Sequence, residues 1–235
     1  MSFVQLWWDA LVRPEEAGRL VWQSPRGFTR FLAVLTTVMY AAYGLSMGLF
    51  HSTLAGDVSA VKLPVLYLLS LAVCFSALHT LNALLGARLC VRACLRLLLA
   101  ISTNAVALVG YAPFSLFFTL TTSHDGYTFL VAMHIVVFAL AGLLSLVQIV
   151  RIFIAAARRS ERRSNPALFF VWALLYMFVG TQLAWVLRPF VGSPAAPFSL
   201  FREREGNFYE SVYEALRHPT AQPEPPAQGP GTDTP

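Results

Sequence analysis

FLVAMHIVVFALAGLLSLVQIVRIFI, residues 129–154, is the stretch that decides the fold. It contains no Asp or Glu, and its first basic residue, Arg151, lies close to its end. At ~1.5 Å of rise per residue, a helix of this length outreaches the ~30 Å hydrocarbon core of a bilayer. No water is available there to satisfy backbone N–H and C=O groups, so a continuous apolar run this long must be helical.

Working outward, four further blocks read the same way. They are Phe31–Phe50, Leu63–Leu85 (entered through Lys62 and Pro64), Leu97–Leu120 (interrupted by Pro113) and Ala167–Leu187. The predicted fold is an all-α polytopic membrane helical bundle with about five transmembrane helices. Composition agrees: 57% of the 235 residues are hydrophobic and only 12% charged, about half the charge of a soluble domain. Mean hydropathy is +0.61 and the isoelectric point is near 9.4. The basic residues lie between apolar blocks, which points to membrane flanks and excludes nucleic acid as a partner. The three cysteines have no disulfide-framework spacing and read as free thiols that fill space. Residues Ser2–Glu16 are interrupted by polar and acidic side chains, so they do not read as a signal peptide.

Arginine sets the expected orientation. Arg13, Arg19, Arg26 and Arg30 precede the first span; Arg88, Arg92 and Arg96 follow the second; Arg158, Arg159, Arg162 and Arg163 follow the fourth. The alternate loops hold only Lys62, the sole lysine. Positive charge is retained in the cytoplasm, which predicts an N-terminus inside and, after an odd number of spans, a C-terminus outside. The abundance of arginine over lysine suits a bacterial cytoplasmic (inner) membrane.

Four regions follow. Residues 1–26 form an N-terminal interfacial segment: Phe3, Leu6, Trp7, Ala10 and Leu11 share one helical face, and a second helix begins at Pro14. Residues 27–187 are the five-span bundle. Residues 188–217 mix aromatic and charged side chains and read as an outer-face cap. Residues 218–235 are Pro-, Gln-, Gly- and Thr-rich and read as disordered.

Polar side chains inside spans are the first candidates for function, because their cost in lipid calls for a partner. Counted from the span ends, His79 and Asn104 fall at similar depth on neighbouring spans, which predicts an interhelical hydrogen bond; a proton relay or substrate contact is the functional alternative. His134 lies roughly 10 Å away in depth by the same rise, so His79 and His134 do not suit one haem iron. His51, His124 and Asp125 lie in outer loops without metal-ligand spacing. No cofactor is expected. Gly44 and Gly48 form a small-xxx-small pair that admits a close helix, within the bundle or across a dimer seam. Arg88, Arg92 and Arg96 form one stripe if helical, suited to anionic lipid headgroups. No phosphate loop, metalloprotease motif, nucleophile elbow or intramembrane carboxylate pair is present, so the chain reads as not an enzyme.

The stretch GTQLAWVLRPFVGSPAAPFSLFREREGNFYESV, residues 180–212, resembles the C-terminal signature of an uncharacterised family of bacterial multi-span inner-membrane proteins, TQLxWxLRPFxGSP…PFxLFR…GNFYxSV. SPRGFTR and APFSLFFTLTTSHDGYTFLVAMHIVVFALAGL are similar to it as well, and the likeness spans about residues 24–213. Some members carry an actin-binding WH2 label, but this chain has no amphipathic helix followed by a Lys-rich actin contact. The five-span plan is similar to Yip1-type proteins by architecture alone. The signature suggests a candidate functional surface of Gln182, Trp185, Arg188, Phe201, Arg202, Asn207 and Tyr209, with Trp185 and Arg188 as interfacial anchors. The expected function is a non-enzymatic membrane scaffold, or a subunit of a membrane assembly with a membrane-protein partner. The alternative is a permease or lipid-handling component.

Overall fold

The computed structural model describes residues 2–84, 91–122, 127–158 and 166–187. The elements are α1 (Phe3–Val12), α2 (Pro14–Trp22), α3 (Phe28–Gly48), α4 (Thr53–Leu84), α5 (Val91–Thr121), α6 (Tyr127–Arg158) and α7 (Pro166–Leu187), with no strand among the described residues. The chain is therefore the all-helical membrane bundle that its apolar blocks call for. Among the described residues, stretches of α3, α4, α5 and α6 are long and apolar enough to cross a membrane. α7 adds a fifth helix of 22 residues, about 33 Å at the usual rise.

Local chemistry explains the helix ends. Ser2 and Gln5 form a reciprocal capping box at the start of α1. Pro14 opens α2, with Glu15 and Glu16 in its first turn, where the helix dipole favours negative charge. Gly27 takes φ +86° between α2 and α3, a conformation that L side chains resist.

α4 corrects the second expected span. It begins at Thr53, ten residues before Leu63, so the segment read as a loop is helical and Lys62 and Pro64 lie inside the helix. Ser52 caps it by accepting from the Ala55 N–H at 3.1 Å. Asp57 and Lys62 had broken the hydropathy run, yet the small residues around them pack. A Cβ added to Gly44 would stand 2.8 Å from the Ser59 carbonyl carbon, and one on Gly48 would stand 2.6 Å from that of Ala55. The small-residue pair on α3 is therefore an intramolecular seam with α4.

α3 packs against both α4 and α5; α5 packs against α6, and α7 packs against α4. Phe28, Leu32, Tyr43, Leu99, Leu108 and Leu130 are among the fully buried side chains. Ile135, Val136, Leu140, Leu143, Leu144 and Val147 of α6 are exposed, a surface suited to hydrocarbon rather than water. The amphipathic helix expected over residues 3–12 is α1. Its Leu6, Trp7 and Ala10 are buried, while Trp8 is exposed. α2 lies on α6, where a Cβ on Gly18 would come within 3.1 Å of Ala155.

Candidate functional site

His134 is the centre of the interior polar chemistry. It projects from α6 and is 2% exposed. Its Nδ1 shares a 2.7 Å hydrogen bond with the Tyr43 hydroxyl of α3, and its Nε2 lies 3.4 Å from Ser115 Oγ of α5. Ser115 Oγ also donates to the Ser46 carbonyl at 3.4 Å. One tautomer satisfies every group: Tyr43 O–H donates to Nδ1, Nε2–H donates to Ser115 Oγ, and Ser115 O–H donates to Ser46 O. The Tyr43 and Tyr111 rings meet the imidazole edge-on, with centroids 5.6 and 5.8 Å away.

The end of that chain explains its position. Ser46 lies in the last turn of α3, where carbonyls have no intrahelical donor. Ser115 supplies one, and His134 holds Ser115. Gln148 does the same for α1: its Nε2 donates to the Ala10 and Leu11 carbonyls at 3.3 and 3.2 Å. Near it, Trp7 Nε1 donates to Ser102 Oγ at 3.1 Å, tying α1 to α5. Intramembrane polar side chains thus cap helix ends that lipid would leave unsatisfied.

A third station lies between these two. Tyr40 of α3 donates to Asn104 Oδ1 of α5 at 2.9 Å, and its ring stacks on Tyr67 of α4 with centroids 4.7 Å apart. Among the described residues, Asn104 has Tyr40 as a partner. The expected contact with His79 falls on a side chain outside the described residues; α3 packs against the helices of both. Lys62, read from sequence as a loop residue, is 6% exposed within the apolar stretch of α4.

Gln182 and Trp185 of the expected C-terminal surface lie half-buried on α7. Arg188, Phe201, Arg202, Asn207 and Tyr209 lie outside the described residues, as do Arg88, His124, Asp125 and the side chains of Arg92 and Arg96. Sequence reading placed His134 in a span but missed its partners. One signal was present: Tyr40, Tyr43 and Met47 continue the helical stripe of Phe28, Leu32 and Thr36, so one face of α3 turns polar toward its C-terminal half.

Comparison with protein-family models found no match, and neither the search of curated proteins nor that of solved structures returned one. The fold and its buried polar centre define a class, a polytopic helical membrane protein.

Proposed function

We propose that this chain is a non-enzymatic scaffold or subunit of a membrane assembly, held in a bacterial cytoplasmic membrane with its N-terminus inside. One observation supports this above all: Trp7, Tyr40, His134 and Gln148 bond between helices, and two groups, Ser115 and Gln148, cap helix ends. Both ring nitrogens of His134 are likewise engaged in contacts between helices. Purification in native lipid followed by mass spectrometry tests the reading. A protein that copurifies in fixed stoichiometry is the expected result. A chain that copurifies with nothing, yet moves a solute across reconstituted vesicles, would overturn it. Reporter fusions after Arg163 and near Gly206 test orientation; a periplasmic-type signal at the first and a cytoplasmic-type signal at the second reverse it.

Buried Lys62 favours a second reading, a permease or lipid-handling component, because intramembrane cations mark solute pathways more often than packing. Loss of vesicle flux in Lys62→Gln, with unchanged folding, would select that reading.

A further inference from the structure

Back-bonding is the habit of the described Ser and Thr hydroxyls of this chain, and Thr36 and Ser70 depart from it. Intramembrane Ser and Thr hydroxyls ordinarily donate to the carbonyl one turn earlier. Thr37, Ser76, Thr103, Thr119, Thr121 and Thr181 all do so, to Ala33, Ala72, Leu99, Ser115, Phe117 and Met177. Thr36, beside Thr37 on α3, and Ser70, on the same helix as Ser76, do not; their oxygens are buried with no hydrogen-bond partner.

Tyr67 joins them. Its hydroxyl is the third buried oxygen without a partner in this region, and it lies one turn from Ser70 on the same face of α4. The Thr36 hydroxyl lies next to the Tyr67 phenol on the neighbouring helix. Thr36, Tyr67 and Ser70 are 0%, 3% and 2% exposed. Opposite Ser70, α7 presents Gly180, where even an added Cβ would remain 3.9 Å from Ser70 Oγ. A glycine there means that α7 offers Ser70 no side-chain hydrogen-bond partner at this position.

Each hydroxyl can donate one hydrogen bond and accept others, and an unmade bond at such depth is costly. All three groups are uncharged, which matches a neutral ligand and disfavours an ion, whose desolvation they cannot offset. We propose that Thr36, Tyr67 and Ser70 line an internal site, between α3, α4 and α7, for a neutral hydroxyl group supplied by water or by a small polyol. The site does not depend on the scaffold reading, since a static bundle and a carrier can each hold such a ligand.

Solid-state NMR on the carbon-13-labelled full chain in lipid bilayers tests the site. Magnetisation that starts on water should reach the hydroxyl-bearing carbons of Thr36, Tyr67 and Ser70 several-fold sooner than that of back-bonded Thr37. If a polyol is the occupant, labelled glycerol should instead give cross peaks to the same three carbons. Either result supports the site and names its source. If the three carbons polarise no sooner than Thr37 and glycerol gives no contact, the inference is wrong. The double variant Thr36→Val, Ser70→Ala should abolish the effect at Tyr67; persistence there would also overturn it. The wild-type measurement decides the matter even if that variant does not fold.

Discussion

α3 meets its neighbours in two different ways. Toward α4, Gly44 and Gly48 bring two backbones into contact, and shape does the work. Toward α5 and α6, Tyr40 and Tyr43 reach across to Asn104 and His134, and hydrogen bonds do it. The difference teaches how a bundle holds together where burying apolar surface gains little, since lipid is as apolar as leucine. Close packing tolerates no added atom, whereas a hydrogen bond can be lost at moderate cost. The glycine seam should therefore be the brittle contact and the polar seam the compliant one.

The largest expected effect tests brittleness. Gly48→Val would drive side-chain atoms into the Ala55–Gly56 backbone, which cannot yield unless the helices part. Overpacking costs about 1–3 kcal/mol or more, and contact with backbone places this variant at the upper end. Folded yield and the unfolding midpoint in detergent should both fall sharply; an unchanged midpoint would mean that the seam is not close-packed.

Next comes His134→Ala, which removes both imidazole bonds. Interhelical hydrogen bonds in membranes average about 0.6 kcal/mol, with a maximum near 1.7, so two of them amount to about 1–3 kcal/mol. Tyr43→Phe should cost less, and the double variant should cost less than the sum of the singles, because both delete the same bond. Additive losses in a double-mutant cycle would show that the two residues act independently.

A smaller effect is expected at Asn104. Tyr40→Phe and Asn104→Ala should each lower stability by about 0.6 kcal/mol or somewhat more, with coupling between them. Coupling of Asn104→Ala to His79→Ala, and none to Tyr40→Phe, would instead identify His79 as the working partner. Smallest of all is Gly142→Ala on α6, where an added Cβ meets nothing within 4 Å. Its unfolding midpoint should stay close to wild type; a clear loss would reveal that an unseen neighbour covers this face and would strengthen the case for a partner.

These comparisons also mark where sequence reading stopped. The N-terminal amphipathic helix was legible from the period of Leu6, Trp7 and Ala10, but burial of Trp7 on Ser102 was not, because 95 positions separate them. The start of α4 was missed because Asp57 and Lys62 interrupt the hydropathy run, while Ala55, Gly56 and Ser59 matter through their small size. Ser52, ahead of Thr53, accepts from the Ala55 N–H as an N-cap residue does. For the polar interior, depth counting placed His79 beside Asn104 by assuming that consecutive spans are neighbours. α3 packs against both of their helices, and from it Tyr40 reaches Asn104.

By itself, the sequence determined that this chain is a helical membrane bundle. Long apolar blocks without acidic residues leave the backbone one way to satisfy its hydrogen bonds in lipid. It also placed Asn104 and His134 at depth, since position along a span follows from the rise per residue. Only the tertiary structure decided which of them meet. α4 and α7 are apolar on nearly every side, so their periodicity does not say which face turns inward. Tyr43, Ser115 and His134 come from three helices and converge because the rotation and offset of each are set by its neighbours' shapes. Those shapes include the glycines that let α3 approach α4.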